Sequence, residues 1–249
     1  MLELIQYLDS SYLLPFLLLF ARILSFFALM PVVGATYLSS KIRVMIAFYL
    51  TIFLYPNIQN SSYINEDNFI QLLINEIMLG IATSMILHLV FAGVKVIGEL
   101  ISYATALSMS SQLDPTSGTK QTSISNLLNI IATLVFLETG MYEAVLMLLA
   151  NSLDSIHLGS FNIYDYNGIS LATSELTRMM LFAFSFSFPL FFIGTIMDIF
   201  FGYSTRNTPS FSVFVITFQL KFMLIFGFLI LGISIFIDNF KEYFFQTVY

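Results

Sequence analysis

Hydrophobic residues fall into six runs along the chain, separated by shorter polar segments. The runs cover residues 12–33, 42–56, 69–97, 124–150, 176–201 and 211–237. About 20 residues of α-helix are needed to cross the hydrocarbon core of a bilayer. The pattern therefore predicts an all-α, multi-pass membrane protein of about six hydrophobic helices arranged as hairpins.

The third run is too long for one simple membrane crossing. It continues without a strong helix breaker to Ser110, and a single helix over that length would measure about 60 Å, twice the hydrocarbon thickness. The helix must therefore bend, re-enter or leave the membrane, and Gly93 and Gly98 are the expected weak points. In the fifth run, Pro189 and Gly194 predict a kink.

A polar, turn-forming stretch separates the third run from the fourth. This polar segment, residues 110–122, reads SSQLDPTSGTKQT. Asp114-Pro115 and Ser117-Gly118 each favour a turn. Backbone of this kind at membrane depth must be in water or buried in protein, because hydrocarbon cannot satisfy its free amide and carbonyl groups. Taken alone, the segment is more typical of an ordinary solvent loop.

Small residues recur at every fourth position before the polar segment. They are Gly98, Ser102, Ala106 and Ser110. On a helix they form one face along which a second backbone can approach closely. This close-packing face fits packing within one hairpin, a seam between subunits or the lining of a pore, and the spacing alone does not separate the three.

Four ionisable residues lie within hydrophobic runs and are expected to be buried: Arg22, Glu138, Asp198 and Lys221. An unpaired Lys near the middle of the last run costs about 3 kcal/mol on insertion scales, so Lys221 needs a partner. Asp198 and Glu138 are the best internal candidates, whereas the sequence identifies no acceptor for Arg22. Glu138, Asp198 and Lys221, together with Glu76, have the chemistry of an ion relay. Structural pairing is favoured, because the paired broken helices typical of transporters are not evident.

Composition narrows the class of protein. The chain is 58% hydrophobic and only 10% charged, which lies outside the range of soluble domains. The absence of cysteine excludes disulfides and thiolate chemistry, and His88 and His157 lack the spacing of metal ligands. The sequence contains no catalytic constellation, phosphate-binding loop or basic patch for nucleic acid. We therefore expect neither an enzyme nor a metal or cofactor.

Lys and Arg are concentrated in the odd-numbered loops between runs. Lys41 and Arg43 lie in the first loop, Lys120 in the third and Arg206 in the fifth. By the positive-inside rule these loops are cytoplasmic, which places both termini in the periplasm.

Motifs spread over most of the chain resemble one family. They are Arg22 and, in order, ALMPVVG at 28–34, KIRV at 41–44, GELI at 98–101, DPTSG at 114–118, LVFLETG at 134–140, TRNTP at 205–209 and FQLK at 218–221. Their order and spacing resemble the R subunit of the flagellar type III export gate (FliR) and its injectisome counterpart, the T subunit. The chain departs from the family pattern at Met141, where His is common, at Gln219, where Pro is usual, and over residues 208–212.

The resemblance implies a single export-gate domain over residues 1–249. Within it, P-like hairpins are expected at about 1–123 and 124–209, followed by the last hydrophobic helix and tail at about 210–249. The protein would be a channel and scaffold subunit packed into a helical assembly, in the bacterial inner membrane at the flagellar basal body. The implied partners are the P, Q and B gate subunits (FliP, FliQ and FlhB type), unfolded export substrates and membrane lipid, with no nucleic acid.

The resemblance also places the polar segment in the central pore, as a plug. The expected plug residues are Ser110, Ser111, Gln112, Leu113, Asp114, Pro115, Thr116, Ser117, Gly118 and Thr119. The alternative function is an autonomous ion-coupled transporter that uses Glu76, Glu138, Asp198 and Lys221.

Overall fold

The described part of the chain is built from helices. A computed structural model describes residues 10–32, 38–57, 64, 68–105, 122–162, 167–207 and 213–248, and these contain no β-strand. The α-helices are α1 Ser10–Leu29, α2 Ser40–Leu54, α3 Phe69–Ala104, α4 Ser123–Glu138, α5 Met141–Ser155, α6 Gly168–Asn207, α7 Val213–Leu231 and α8 Ile233–Val248.

Within those residues, three helices are each long and apolar enough to cross a membrane, and they correspond to α1, α3 and α6. Two bent pairs, α4 with α5 and α7 with α8, raise the number to as many as five if each pair forms one span. The predicted class, a helical membrane protein, is confirmed. The fourth hydrophobic run forms two helices, α4 and α5, and the sixth run together with the tail forms α7 and α8.

Both breaks occur at glycine. Gly140 separates α4 from α5 with a left-handed φ of 70°, and the two helices bend by 66°. Such a φ carries no steric cost for glycine. Gly232 separates α7 from α8, which bend by 55°. Broken helices are therefore present in this chain, although hydropathy did not reveal them.

The longest helices continue through the residues at which a bend or kink was predicted. α3 has 36 residues and continues through Gly93 and Gly98, and α6 has 40 residues and continues through Pro189. At 1.5 Å per residue α3 is about 54 Å long, so it must tilt or extend beyond the hydrocarbon core. Gly93 and Gly98 instead lie where other chain segments approach α3 closely.

The helices group into two compact units that alternate along the sequence. The first unit contains α1, α2, α3 as far as His88, and α5 with the chain that follows it to Thr173. The second contains α3 from Leu89, α4, α6 from Ser174, α7 and almost all of α8. The three consecutive segments implied by the resemblance cut across these units, and their assignment as hairpins stays a prediction.

In the first unit, α1 and α2 pair through aromatic side chains. The Phe16 ring packs edge-on against Phe48 and Tyr55, with centroids 6.0 Å and 5.7 Å apart. The Tyr55 hydroxyl donates to the backbone carbonyl of Tyr12 at 2.9 Å. The aromatic contacts hold one side of α2 against α1, and most of its remaining apolar side chains stay exposed.

In the second unit, a cluster of phenylalanines joins three helices. Phe91 of α3 packs edge-on against Phe136 of α4 and Phe240 of α8, with ring centroids 5.7 Å and 5.8 Å apart. Phe136 also meets Phe244 at 5.7 Å. Because Phe240 and Phe244 are four residues apart, they lie on one face of α8 and bury it against the unit.

Candidate functional site at the base of the polar segment

The polar segment joins α3 to α4, and the structure describes its base. Of residues 110–122 only Thr122 is described; the predicted plug residues, and Ala106 of the close-packing face, lie outside the described residues. The base consists of the last two turns of α3 and the first turn of α4, all within the second unit.

Thr122 begins α4 as its N-cap. Its backbone is extended, with φ −75° and ψ 156°, and its Oγ1 accepts a hydrogen bond from the backbone amide of Ser125 at 3.4 Å. Threonine suits this position because its side-chain oxygen satisfies an amide that has no partner within the helix. Thr122 is buried, so the start of α4 is fixed inside the protein.

Two side chains of α3 bind Thr122 directly. The Ser102 hydroxyl donates to Thr122 Oγ1 at 2.7 Å, and it is also 2.8 Å from the Gly98 carbonyl oxygen. Glu99 Oε1 accepts from the Thr122 amide at 3.2 Å and from its hydroxyl at 3.4 Å. These bonds hold the last turns of α3 against the N-cap of α4. We call this junction the closed base of the polar segment.

The backbones of α3 and α4 meet beside this hydrogen-bonded cluster. A Cβ added to Gly98 would overlap the Cα of Ser125, so only glycine fits at this position without a shift. The Ser125 hydroxyl donates to the Lys95 carbonyl at 3.2 Å. For Gly98 and Ser102, the close-packing face predicted from sequence thus packs against α4 of the same chain.

In the first unit, Arg22 and Glu76 form a buried ion pair. Arg22 Nε lies 2.5 Å from Glu76 Oε2, and Nη2 lies 3.1 Å from Oε1. The pair also bonds to backbone groups. Arg22 Nη1 donates to the Ile156 carbonyl at 3.2 Å, and the Gly159 amide donates to Glu76 Oε1 at 2.8 Å. Charges this deeply buried are tolerated when they are paired and hydrogen-bonded. The cluster ties α1, α3 and the chain after α5 together.

In the second unit, Lys221 pairs with Asp198, which is one of its two expected partners. Lys221 Nζ lies 2.6 Å from Asp198 Oδ2. The Lys221 side chain is 6% exposed and that of Asp198 is 59% exposed. The pair is therefore asymmetric, with a buried cation and a carboxylate on the surface of the chain.

Asp198 and Glu138 are expected to be buried, and within the described chain neither side chain is covered. Glu138 is the last residue of α4. Their burial against a partner subunit stays a prediction. Apolar neighbours in sequence place a residue within a hydrophobic helix, but the face of the helix on which it lies decides whether it is buried. Among the residues that the structure describes, no cluster of three or more His, Asp or Glu side chains is arranged to hold a metal ion.

The contacts of two carboxylates, Glu99 and Glu76, were not predicted from the sequence. Glu99 appeared in the sequence only as part of the GELI motif, and Glu76 only as a member of a possible ion relay. The cap itself had a local signal in the sequence. A threonine directly before a long apolar run, as Thr122 is, is a typical helix N-cap. The Arg22–Glu76 contact spans 54 residues, and nothing local in sequence identifies such a pair.

Comparison with known proteins gives the class. Residues 13–247 match the sequence model of the family described as bacterial export proteins, family 1. The match covers nearly the whole chain, so the chain belongs to this family. Together with its long apolar helices, this makes it an integral membrane protein of a bacterial export apparatus.

Curated relatives agree with the resemblance to FliR, which is thereby confirmed. The flagellar biosynthetic protein FliR of Aquifex aeolicus (strain VF5) is 27% identical over 254 residues, covering 96% of each chain. That of Pectobacterium carotovorum subsp. carotovorum is 25% identical over 236 residues, covering 92% of this chain and 88% of the relative. That of Bacillus subtilis (strain 168) is 24% identical over 223 residues, covering 88% and 86%.

Proposed function

We propose that the chain is a non-enzymatic channel and scaffold subunit of the flagellar type III export gate, and that its polar segment plugs the pore. Family membership and the flagellar names of its relatives support a role in export. The observation that carries the plug is the closed base, where Ser102 and Glu99 of α3 bind Thr122 at the start of α4.

A plug must be held at its ends while its middle gives way to the passing chain. Thr122 is held by three hydrogen-bonding neighbours, and α3 and α4 are in backbone contact at Gly98. Between these anchors, Asp114-Pro115 and Ser117-Gly118 favour turns over a continuing helix. Leu113 is the one large apolar residue between Ser110 and Lys120, so the seal would rely on backbone, small polar groups and partner subunits.

The scaffold role is supported by the apolar surface of the helices. α2 exposes Ile42, Met45, Tyr49 and Phe53, and α6 exposes a row of phenylalanines. Surface of this kind needs either lipid or another protein against it. In the proposed gate, P, Q and B subunits cover part of this apolar surface and membrane lipid covers the rest. The protein lies in the inner membrane, with both termini on the periplasmic side.

The alternative, an ion-coupled transporter, would need Glu76 to bind ions, but Glu76 is already occupied. Both oxygens of Glu76 are engaged by Arg22, and one also accepts from the Gly159 amide. A carboxylate held in this way is poorly placed to bind and release a cation. Glu138 lies at the end of α4, and Lys221 already pairs with Asp198.

One experiment separates the two functions. A tagged chain is purified under mild conditions from cells that express the flagellar export genes, and the purified chain alone is reconstituted into liposomes. The proposed function predicts co-purification of the P- and Q-type subunits and no solute uptake when an ion gradient is imposed. Gradient-driven uptake by the chain alone, with no export subunit attached, would establish the transporter instead.

A further inference from the structure

We propose that the exposed face of α6 around Asp198 binds a membrane helix of another gate subunit, which donates a neutral hydrogen bond to the free oxygen of the Asp198 carboxylate. The inference rests on the proposed function, since it takes the partner from the assembled gate. It assigns a docking face and a recognition contact to an ion pair that the plug does not use.

The ion pair leaves one carboxylate oxygen available. Lys221 Nζ binds Asp198 Oδ2, and no residue that the structure describes bonds to Oδ1, although the Asp198 side chain is 59% exposed. An ionised carboxylate has room for about four hydrogen bonds. Asp198 therefore offers acceptor capacity at the protein surface, while Lys221 holds it in position from inside.

The exposed face has the spacing of a helix-packing seam. Its members follow one another at intervals of four and three residues along α6, and all are exposed: Phe184, Phe188, Phe191, Thr195, Asp198 and Gly202. Alternating intervals of this kind bring residues into line for contact with a second helix. Three large aromatic residues occupy one end and smaller residues the other, so a partner helix would come closest to α6 beside Asp198.

Neither lipid nor water suits this face by itself. Asp198 lies within a candidate membrane span, where a carboxylate facing hydrocarbon is costly. Water would solvate the carboxylate, but it would also contact the row of phenylalanines, which is unfavourable. A protein helix that is apolar overall and carries one donor satisfies both parts of the face.

Charge determines the kind of donor. Asp198 and Lys221 together carry no net charge, so a partner cation would leave one uncompensated positive charge in a medium of low dielectric. A neutral amide or hydroxyl donor satisfies Oδ1 without that cost. Thr195, one turn before Asp198, already donates to the Phe191 carbonyl at 2.9 Å, and so Asp198 is the polar group of this face that would recognise the partner.

The first test is site-specific photo-crosslinking in cells that assemble the complete export gate. A benzoyl-phenylalanine probe replaces Phe191, which is already aromatic and lies two turns from Asp198 on the same seam. The proposal predicts adducts with an apolar helix of a different gate subunit that carries Asn, Gln, Ser, Thr or Tyr at the level of Asp198. Adducts with lipid alone, with a second copy of this chain, or with no molecule would overturn it.

The second test measures the strength of the contact. Replacing both charges, Asp198→Leu with Lys221→Met, removes the acceptor without leaving a buried unpaired ammonium. Interhelical hydrogen bonds in membranes correspond to roughly a 3- to 20-fold change in association, and co-purification of the partner should fall by about that factor. Ser185→Ala is the control, because the Ser185 hydroxyl is exposed on α6 outside the seam and donates to the Leu181 carbonyl of its own helix at 2.7 Å. It should leave recovery unchanged. Equal recovery from the double variant and the wild type would contradict the proposal.

Two further results keep the tests distinct. Replacing the partner's donor by Leu should cause the same loss in the wild type and no additional loss in the double variant, as coupled residues require; additive losses would contradict direct contact.

If the wild-type chain co-purifies with gate subunits but the Phe191 probe reaches only lipid, the docking face is wrong and the proposed function stands. If no gate subunit co-purifies with the wild type, the proposed function itself fails.

Discussion

Ser102 and Thr122 are 20 residues apart in sequence, and the hydroxyl of Ser102 donates to that of Thr122 at 2.7 Å. Both residues are buried. The bond joins the end of α3 to the N-cap of α4 and so closes the base of the polar segment. Glu99 adds a charged acceptor from the same face of α3. This cluster would keep the ends of a plug fixed while its middle moves.

Removing the Thr122 hydroxyl should weaken that base. Thr122→Val loses the N-cap bond and the hydroxyl's bonds with Ser102 and Glu99, while the backbone amide still donates to Glu99. Loss of a cap alone costs about 1 kcal/mol. We expect a lower thermal midpoint in detergent, followed by circular dichroism at helical wavelengths. Thr133→Val is the matched control, because within the described part of the chain the Thr133 hydroxyl bonds only to the Asn129 carbonyl of its own helix. Equal midpoints for the two variants would show that Thr122 does not stabilise the junction.

A methyl group at Gly98 should separate α3 from α4. Gly98→Ala places a Cβ onto the Cα of Ser125, and backbone in a packed interior cannot move aside as a flexible side chain can. We expect a loss of about 1–3 kcal/mol, in the range of overpacked cores. The matched control is Gly227→Ala, in the interior of α7, where a Cβ meets no atom within 4 Å. There the higher helix propensity of Ala should leave stability unchanged or raise it by up to about 1 kcal/mol.

The Arg22–Glu76 pair should show strong coupling. Arg22→Met leaves Glu76 buried without its cation, and breaking a buried pair in this way costs about 3–5 kcal/mol. The double variant with Glu76→Leu also in place should be destabilised less than Arg22→Met alone, because no uncompensated charge remains. Denaturation in mixed detergent micelles provides the comparison. Losses that simply add would mean that the two side chains do not stabilise one another.

The sequence predicted the class of fold because hydropathy is a local property. Runs of apolar residues identified the membrane helices, and the small residues at Gly98 and Ser102 indicated close packing. Hydropathy did not predict the breaks at Gly140 and Gly232, since a glycine between apolar residues leaves the average unchanged while removing the steric barrier to a turn.

Contacts between distant residues were the harder part of the site. Lys221 lies in a hydrophobic run and needs a carboxylate partner, which limited the candidates to Asp198 and Glu138. Asp198 is the partner observed. Arg22 pairs with a residue 54 positions away, and only the packing of α1 against α3 brings them together. Asp198 and Glu138 lie on exposed faces of their helices. Hydropathy does not identify such a face, because the outward face of a membrane helix is as apolar in sequence as the inward face.

In the proposed gate the polar segment seals the pore, and deletion of residues 114–119 removes the two turns of that segment. The measurement is the flux of ions and small solutes across the inner membrane of cells that assemble the gate, with cells lacking the P and Q subunits as the background. If the segment seals the pore, the deletion raises this flux above background while the gate subunits still co-purify. An assembled gate whose permeability is unchanged by the deletion would contradict it.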